Sequence, residues 1–297
     1  MHAIFAIEPD AINNWKDLRY VLEKFGYSKG LLIARYPKSW MKMVMDACHS
    51  NGVRDIDLAR VEEKLRIVKD DRLVRMGLPY EGGNWLESVN HKSVLNELFA
   101  VLIKGQSTSD KLHNIDDAHE GLFENRREVH VKRNANALAE AAKYVLAVSD
   151  RIILVDPYFQ SRRKFTKVLD SMLNICRADG ALPSQVIIFS DYSNDPRSST
   201  LVKDEYEKLL SAWIEQGVRF NVSRVAGKQL DQDFHARYLF NKNAGLRFDR
   251  GFVEPEAHDE REHYTDVICI DTAAVNELWT RFIENRECLK IVDEIIF

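Results

Sequence analysis

The chain has 297 residues, of which 45% are hydrophobic and 30% are charged. This length and apolar content fit one large domain or two smaller ones with a sizeable core, and they argue against intrinsic disorder. The formal net charge of -4 excludes a globally basic nucleic-acid-binding protein, but it allows a local basic patch.

Helical periodicity dominates the first part of the chain, where four segments repeat apolar residues at the spacing of an amphipathic helix. These predicted helices cover 13–25, 38–49, 55–69 and 87–103. Segment 31–36 is a short apolar run ended by Pro37, and it predicts a strand. Segment 105–125 is polar with little periodicity, which is typical of a linker or a mobile loop. We therefore expect residues 1–125 to form a helix-rich region.

From residue 126 onward, apolar strands alternate with amphipathic helices. The predicted strands are 127–133, 152–155, 186–189 and 218–222, and the predicted helices are 134–148, 162–177 and 200–216. This order favours a mainly parallel sheet covered on both faces. Two hairpin strands, a last strand and a last helix are then predicted at 234–240, 245–252, 266–270 and 272–285. We therefore predict an α/β fold with a second domain over 126–297.

The first candidate site lies in the first hairpin strand. Strand alternation places His235 and Arg237 on one face. A guanidinium neutralises phosphoryl oxygens, and an imidazole can attack phosphorus or donate a hydrogen bond, so the pair suits a phosphate ester. The second hairpin strand adds Arg247, Asp249 and Arg250. Salt bridges with neighbouring carboxylates are the structural alternative.

Polar residues also follow two of the buried strands. Asp156 and Tyr158 come after the strand at 152–155, and Asp191 comes after the strand at 186–189. Ligands of open α/β sheets bind outside the carboxyl ends of strands, so neighbouring strands would place these residues at the edge of one site. Turn formation and helix capping are the alternative roles for such aspartates.

A basic cluster begins the helix after that edge, and its residues are Arg162, Arg163, Lys164 and Lys167. A second basic run, about one helix earlier, consists of Arg126, Arg127, Lys132 and Arg133. Together they could contact a phosphate backbone or lipid headgroups, and a solvated face is the alternative. The chain contains no HExxH, GxxxxGK[ST], GxSxG, GxGxxG or CxxC motif. We therefore expect no cofactor and no metal.

The order of elements in the C-terminal half resembles a phospholipase-D-like domain. The resemblance is greatest to the C-terminal domain of MIT-domain-containing membrane-recruitment proteins and to its bacterial relatives. It covers about residues 134–290, and the matching motifs are Asp156-Pro157-Tyr158, His235-x-Arg237 and the segment 245–252. The resemblance implies a mixed sheet flanked by helices, and residues 1–125 could be a diverged first lobe.

The wider superfamily carries the motif HxKxxxxD, in which the His is the nucleophile and the Lys binds phosphate. In this chain His235 occupies the His position, Arg237 replaces the Lys, and Lys242 stands at the Asp position. The motif is degenerate, so the resemblance implies the fold more strongly than the activity.

We therefore expect a cytoplasmic, non-catalytic or weakly catalytic protein that binds nucleic acid or another phosphate ester. It would be an accessory subunit of a bacterial multi-protein system, with phage defence as the favoured context. Arg237, Arg247, Arg250 and His235 would bind phosphate, and the basic cluster would widen the contact. The first alternative is a metal-independent homodimeric nuclease, in which one His235 attacks phosphorus and the other protonates the leaving oxygen. The second is a peripheral module that binds acidic lipid, which the net charge of -4 makes dependent on a local basic patch. No apolar run approaches the ~20 residues of a membrane span.

Overall fold

The computed structural model describes residues 1–106, 109–124, 126–226, 237–255 and 263–297. The chain divides into two compact units. The N-terminal unit consists of His2–Arg126, and the C-terminal unit consists of Arg127–Phe297 together with Met1. Each unit contains one sheet, and helices flank it, so the predicted α/β class is confirmed. Within the described ranges, no helix has the length and apolar character needed to cross a membrane.

A wholly parallel sheet forms the core of the N-terminal unit, in the strand order β3-β2-β1-β4-β5. Its strands are β1 (Ala3–Ile7), β2 (Leu31–Ala34), β3 (Leu73–Val74), β4 (Ala100–Ile103) and β5 (Leu112–Asn114). The main helices are α1 (Trp15–Lys24), α2 (Trp40–Ser50), α3 (Asp55–Val68), α4 (Trp85–Val89) and α5 (Lys92–Leu95). Strands β1, β2 and β4 are buried at every position, as expected for parallel strands covered on both faces. The predicted strand β2 and the predicted helices α1 to α3 are confirmed, whereas the rest of this sheet was not predicted.

The helix predicted over 87–103 is wrong. That segment contains the short helices α4 and α5 and then strand β4, whose four residues are all buried. Hydrophobic periodicity cannot separate a buried strand from a buried helix turn when the apolar run is this short. Position in the sheet decides the outcome, because β4 pairs with β1 on one side and with β5 on the other.

An eight-stranded mixed sheet forms the core of the C-terminal unit, in the order β13-β9-β8-β7-β10-β11-β12-β6. Its strands are β6 (Glu128–Lys132), β7 (Arg151–Val155), β8 (Gln185–Asp191), β9 (Arg219–Val225), β10 (Arg237–Phe240), β11 (Gly245–Phe248), β12 (Tyr264–Cys269) and β13 (Ile291–Ile296). The helices are α6 (Ala135–Leu146), α7 (Arg163–Ala178), α8 (Ser199–Ile214) and α9 (Thr272–Trp279). Within this sheet β7, β8 and β9 pair in parallel, as their alternation with helices predicted, and the hairpin strands and edge strands pair antiparallel, so the predicted mixed sheet flanked by helices is confirmed. The edge strand β13 was not predicted.

A buried arginine fixes that unpredicted edge strand. Arg224 on β9 is 1% exposed, and its Nε donates to Asp293 Oδ1 on β13 at 2.7 Å. Its Nη1 donates to the carbonyl oxygens of Asp195 and Arg197 at 2.7 and 2.8 Å. The guanidinium therefore joins the edge strand to the loop that follows β8.

We predict that Arg224→Met destabilises the C-terminal unit by about 3–5 kcal/mol, because it leaves the Asp293 carboxylate half-buried without its cation. Urea denaturation of the whole chain measures the effect. The control is Arg219→Met, which removes an exposed arginine from the same strand and is expected to change stability by less than about 0.5 kcal/mol. Equal effects of the two substitutions would contradict the assignment.

Candidate phosphate-binding edge of the C-terminal sheet

The carboxyl ends of β7 and β8 meet at one edge of the sheet, as predicted for neighbouring strands. The two strands pair in parallel, and Asp156 N donates to Phe189 O at 3.0 Å. Beyond the strands, Asp191 N donates to Pro157 O at 3.0 Å, so the two loops continue the pairing. Asp156, Tyr158 and Asp191 therefore share one edge.

The two aspartates have different surroundings. Asp191 Oδ1 accepts hydrogen bonds from the backbone N and the Oγ of Ser193, at 2.7 and 2.8 Å, which is the capping role given as the alternative. Asp156 is 1% exposed and accepts from Tyr158 N at 3.0 Å and Phe252 N at 3.1 Å. Burial raises the pKa of Asp156, and those two N–H groups, followed by nearby arginines, oppose the rise.

Arg237 is held against this buried carboxylate. Its Nε lies 3.9 Å from Asp156 Oδ1, and its Nη1 donates to the carbonyl oxygen of Asp249. Its guanidinium lies over the Tyr158 ring, 5.2 Å from the ring centre. The Arg237 side chain is still 21% exposed. The edge therefore presents an oriented cation that reaches solvent.

A second arginine, Arg133 of the basic run before α6, supports the same carboxylate. Arg133 is buried, its Nη2 donates to Arg250 O at 3.3 Å, and its charge lowers the pKa of Asp156. Arg133 directly follows β6, at the far edge of the sheet. The sequence did not predict that Arg133 would lie near Asp156, because the position of Arg133 depends on its hydrogen bond to Arg250 in the turn after β11.

The basic cluster lies beside this edge. The chain after β11 passes the first turn of α7, where Glu254 N donates to Lys164 O at 3.2 Å, two residues after Phe252 contacts Asp156. Arg162 is exposed at the N-cap of α7. Arg163 instead pairs with Asp170 Oδ2 at 2.6 Å, two turns along the helix. The first turn of α7 therefore lies beside the chain that follows β11, and within that turn Arg163 is engaged by Asp170.

Arg247 does not join Arg237. The register pairs Arg237 with Phe248 and Tyr238 with Arg247, so the two arginines lie on opposite faces of the sheet. Arg247 Nε lies 3.4 Å from Asp249 Oδ1. Asp249 therefore contacts Arg247 with its carboxylate and Arg237 with its backbone carbonyl oxygen.

The remaining predicted residues divide between the turn after β11 and the undescribed part of the chain. Arg250 is exposed on that turn, where its N donates to Thr265 Oγ1 at 3.1 Å. His235 lies outside the described residues.

A polar network fastens the two loops of the edge. Arg197 Nε lies 2.6 Å from Asp195 Oδ1, and its Nη1 lies 2.7 Å from Glu205 Oε1 on α8. Its Nη2 donates to Ser161 Oγ at 2.9 Å, which reaches the loop after β7. The hydrogen bonds from Arg197 hold the pKa of Asp195 below its ordinary value.

No family model and no curated protein matches the chain. Among solved structures it is similar to TrmBL2, described as an archaeal chromatin protein with a novel mode of DNA binding. The identity is 12%, the alignment covers 94% of this chain and 81% of that chain, and the TM-score is 0.29. A TM-score this low does not indicate a common fold.

We predict that Gly251→Ala destabilises the C-terminal unit more than Gly180→Ala does. Both glycines have a positive φ, of 73° and 65°, which costs an alanine about 1–2 kcal/mol. A Cβ at Gly251 would also overlap Asp156 Oδ2, whereas a Cβ at Gly180 meets nothing within 4 Å. The difference in the free energy of unfolding between the two variants isolates that overlap, and equal losses would contradict the close approach.

We predict that Asp195 contributes to acid sensitivity. Because its folded pKa is lowered, its stabilising contribution is fully present above the unfolded value of about 3.9 and is lost as the pH falls through the folded value. Asp195→Asn should therefore be less stable than wild type near neutral pH and should lose less stability on acidification. Urea midpoints measured from about pH 7 to pH 2.5 test this, with the exposed Asp204→Asn as the control. Parallel curves for wild type and Asp195→Asn would contradict it.

Proposed function

We propose that the C-terminal unit binds the phosphate esters of nucleic acid, with Arg237 as the central phosphate contact. The observation that carries this proposal is the geometry of Arg237. Buried Asp156, the Asp249 carbonyl and the Tyr158 ring orient its guanidinium, and the side chain still reaches solvent. A fixed guanidinium loses little freedom when it binds a phosphate, which favours tight and oriented contact.

The exposed aromatic ring at the same edge favours nucleic acid over an isolated phosphate. Tyr158 is 52% exposed, although large hydrophobic side chains are usually covered. Proteins that bind single strands combine cations for the backbone with aromatic rings on which bases stack. The pair of Arg237 and Tyr158 offers a cation and an aromatic ring side by side.

The basic cluster extends the contact along a nucleic-acid strand. Arg162 is exposed at the N-terminus of α7, a helix of 16 residues, and Lys164 lies in its first turn. The partial positive charge of a helix N-terminus adds to these side chains. The whole chain has a net charge of -4, so binding depends on this local surface and should weaken steeply with salt.

The proposal includes the hypothesis that the C-terminal unit is phospholipase-D-like and that this chain binds its ligand as an accessory subunit. The order of strand, Asp156-Pro157-Tyr158, helix and hairpin supports that hypothesis. Lys242, at the motif's Asp position, lies in the turn between β10 and β11, at the opposite end of β10 from Arg237. This favours binding over cleavage. Phage defence and bacterial partner proteins stay predictions from sequence.

Fluorescence anisotropy with a labelled single-stranded oligonucleotide tests the proposal. Tyr158→Ala should weaken binding by about 1–3 kcal/mol, the usual contribution of one stacked base. Arg162→Ala should lower the slope of log K against log salt by about one. Arg237→Lys should weaken binding because lysine lacks the planar fork. The control is Arg219→Ala, an exposed arginine at the amino end of β9 and so at the opposite edge of the sheet.

Absence of binding by the wild type, or equal binding by all four variants, would overturn the proposal. The same mixtures, kept in EDTA, are also examined for cleavage. Cleavage that is lost in His235→Ala would replace the binding proposal with the nuclease alternative.

A further inference from the structure

A cleft in the N-terminal unit is a second candidate site, separate from the edge of the C-terminal sheet described above. Its volume is about 510 Å³, and it lies at the carboxyl ends of β1 and β4. The chain runs outward from β1 to β2 and β3 and then returns to β4 on the other side of β1. The strand order therefore reverses between β1 and β4. In open parallel sheets, this reversal point is where ligands bind.

The loops at this reversal point are fastened to each other. Glu8 directly follows β1, and its Oε2 accepts a hydrogen bond from Lys104 N, directly after β4, at 2.7 Å. Asn14 caps α1, because its Oδ1 accepts from Lys16 N at 2.8 Å and from Asp17 N at 3.1 Å. The cleft walls are therefore held in place before any ligand arrives.

Two further hydrogen bonds orient the polar groups of the cleft. Asn14 Nδ2 donates to Asp17 Oδ2 at 2.7 Å. When the Asn13 carboxamide is assigned so that both of its atoms find partners, its oxygen accepts from Lys104 Nζ at 3.0 Å. The side chain of Lys104 is therefore drawn towards an amide.

The lining favours hydroxyl groups over phosphates. The cleft is lined by Asn13, Asn14, Asp17, Tyr20, Lys104 and Asp116, besides two apolar residues. Carboxylates and amides accept and donate the hydrogen bonds that a ribose diol offers, whereas two carboxylates beside a single lysine repel a phosphate. The loop after β1 carries Glu8 and Asp10 in place of the glycines that bring backbone N–H groups to a pyrophosphate.

The aromatic member of the lining supplies a surface for a flat ring. Tyr20 lies on α1 and is 44% exposed, and Lys24 Nζ lies 5.6 Å from its ring centre. Aromatic rings of this kind stack on nucleobases. We propose that this cleft binds a neutral nucleoside, with Asp17 and the neighbouring amides on the ribose hydroxyls and Tyr20 against the base.

Isothermal titration of the whole chain with adenosine, ATP and free ribose tests this inference. Adenosine should bind, ATP should bind at least about tenfold more weakly because of charge repulsion, and ribose should bind more weakly than adenosine because it cannot stack. Asp17→Asn and Tyr20→Ala should each weaken adenosine binding by about tenfold. The control is Arg19→Ala, which changes an exposed residue of the same helix outside the cleft.

No adenosine binding, ATP binding equal to or tighter than adenosine, or equal binding by Tyr20→Ala and wild type would each overturn the inference. Circular dichroism of Asp17→Asn separates loss of binding from loss of the helix cap, and Tyr20→Ala tests the cleft without touching that cap. Tyr158→Ala in the C-terminal unit should leave adenosine binding unchanged. This separates the inference from the proposed nucleic-acid site.

Discussion

The candidate site of the C-terminal unit depends on one buried carboxylate. Asp156 stands at the end of β7, almost without solvent, and four groups from four places in the chain converge on it. They are the N–H groups of Tyr158 and Phe252 and the side chains of Arg237 and Arg133. A buried charge is costly unless it is paired, so the loops that supply these partners must take the positions they have.

This constraint explains why the edge is suited to hold a cation towards solvent. Arg237 is attracted inward by Asp156, and yet its length and its contact with Tyr158 leave part of it accessible. The close approach of Gly251 to Asp156 completes the arrangement, because a side chain there would displace the carboxylate. The geometry of the turn after β11 therefore decides the direction of the Arg237 guanidinium.

The two units place side chains of different charge at the same location of the sheet. Both place polar residues at the carboxyl ends of parallel strands, where backbone groups and loops are free to meet a ligand. In the C-terminal unit that edge is rich in arginine, whereas the cleft of the N-terminal unit has more carboxylates and amides than cations among its described lining residues. The sign of the local charge is why we propose a phosphate ester for the first location and a neutral ligand for the second. The net charge of the whole chain, -4, predicts neither a phosphate ligand nor a neutral one.

The local pattern of the sequence determined most of the elements of the C-terminal unit. Strong alternation or periodicity predicted β7, β8, β9, α6, α7 and α8, because their burial follows directly from apolar spacing. It also placed Asp156 and Asp191 at one edge, since both follow buried strands. It failed for 87–103, where a short apolar run fits a helix turn and a buried strand equally well.

Only the tertiary structure decided which charged residues act together. Arg237 and Arg247 look equivalent in sequence, but the register of β10 and β11 puts them on opposite faces, and a shift of one residue would have reversed this. The charge of Arg133, which follows β6, lowers the pKa of Asp156 after β7, and β1 and β4 become neighbours through pairing that no local pattern encodes. Sequence spacing reports which face a residue prefers within its own element. The partners across elements are set by strand order, register and the burial of charge, which arise only when the whole chain packs.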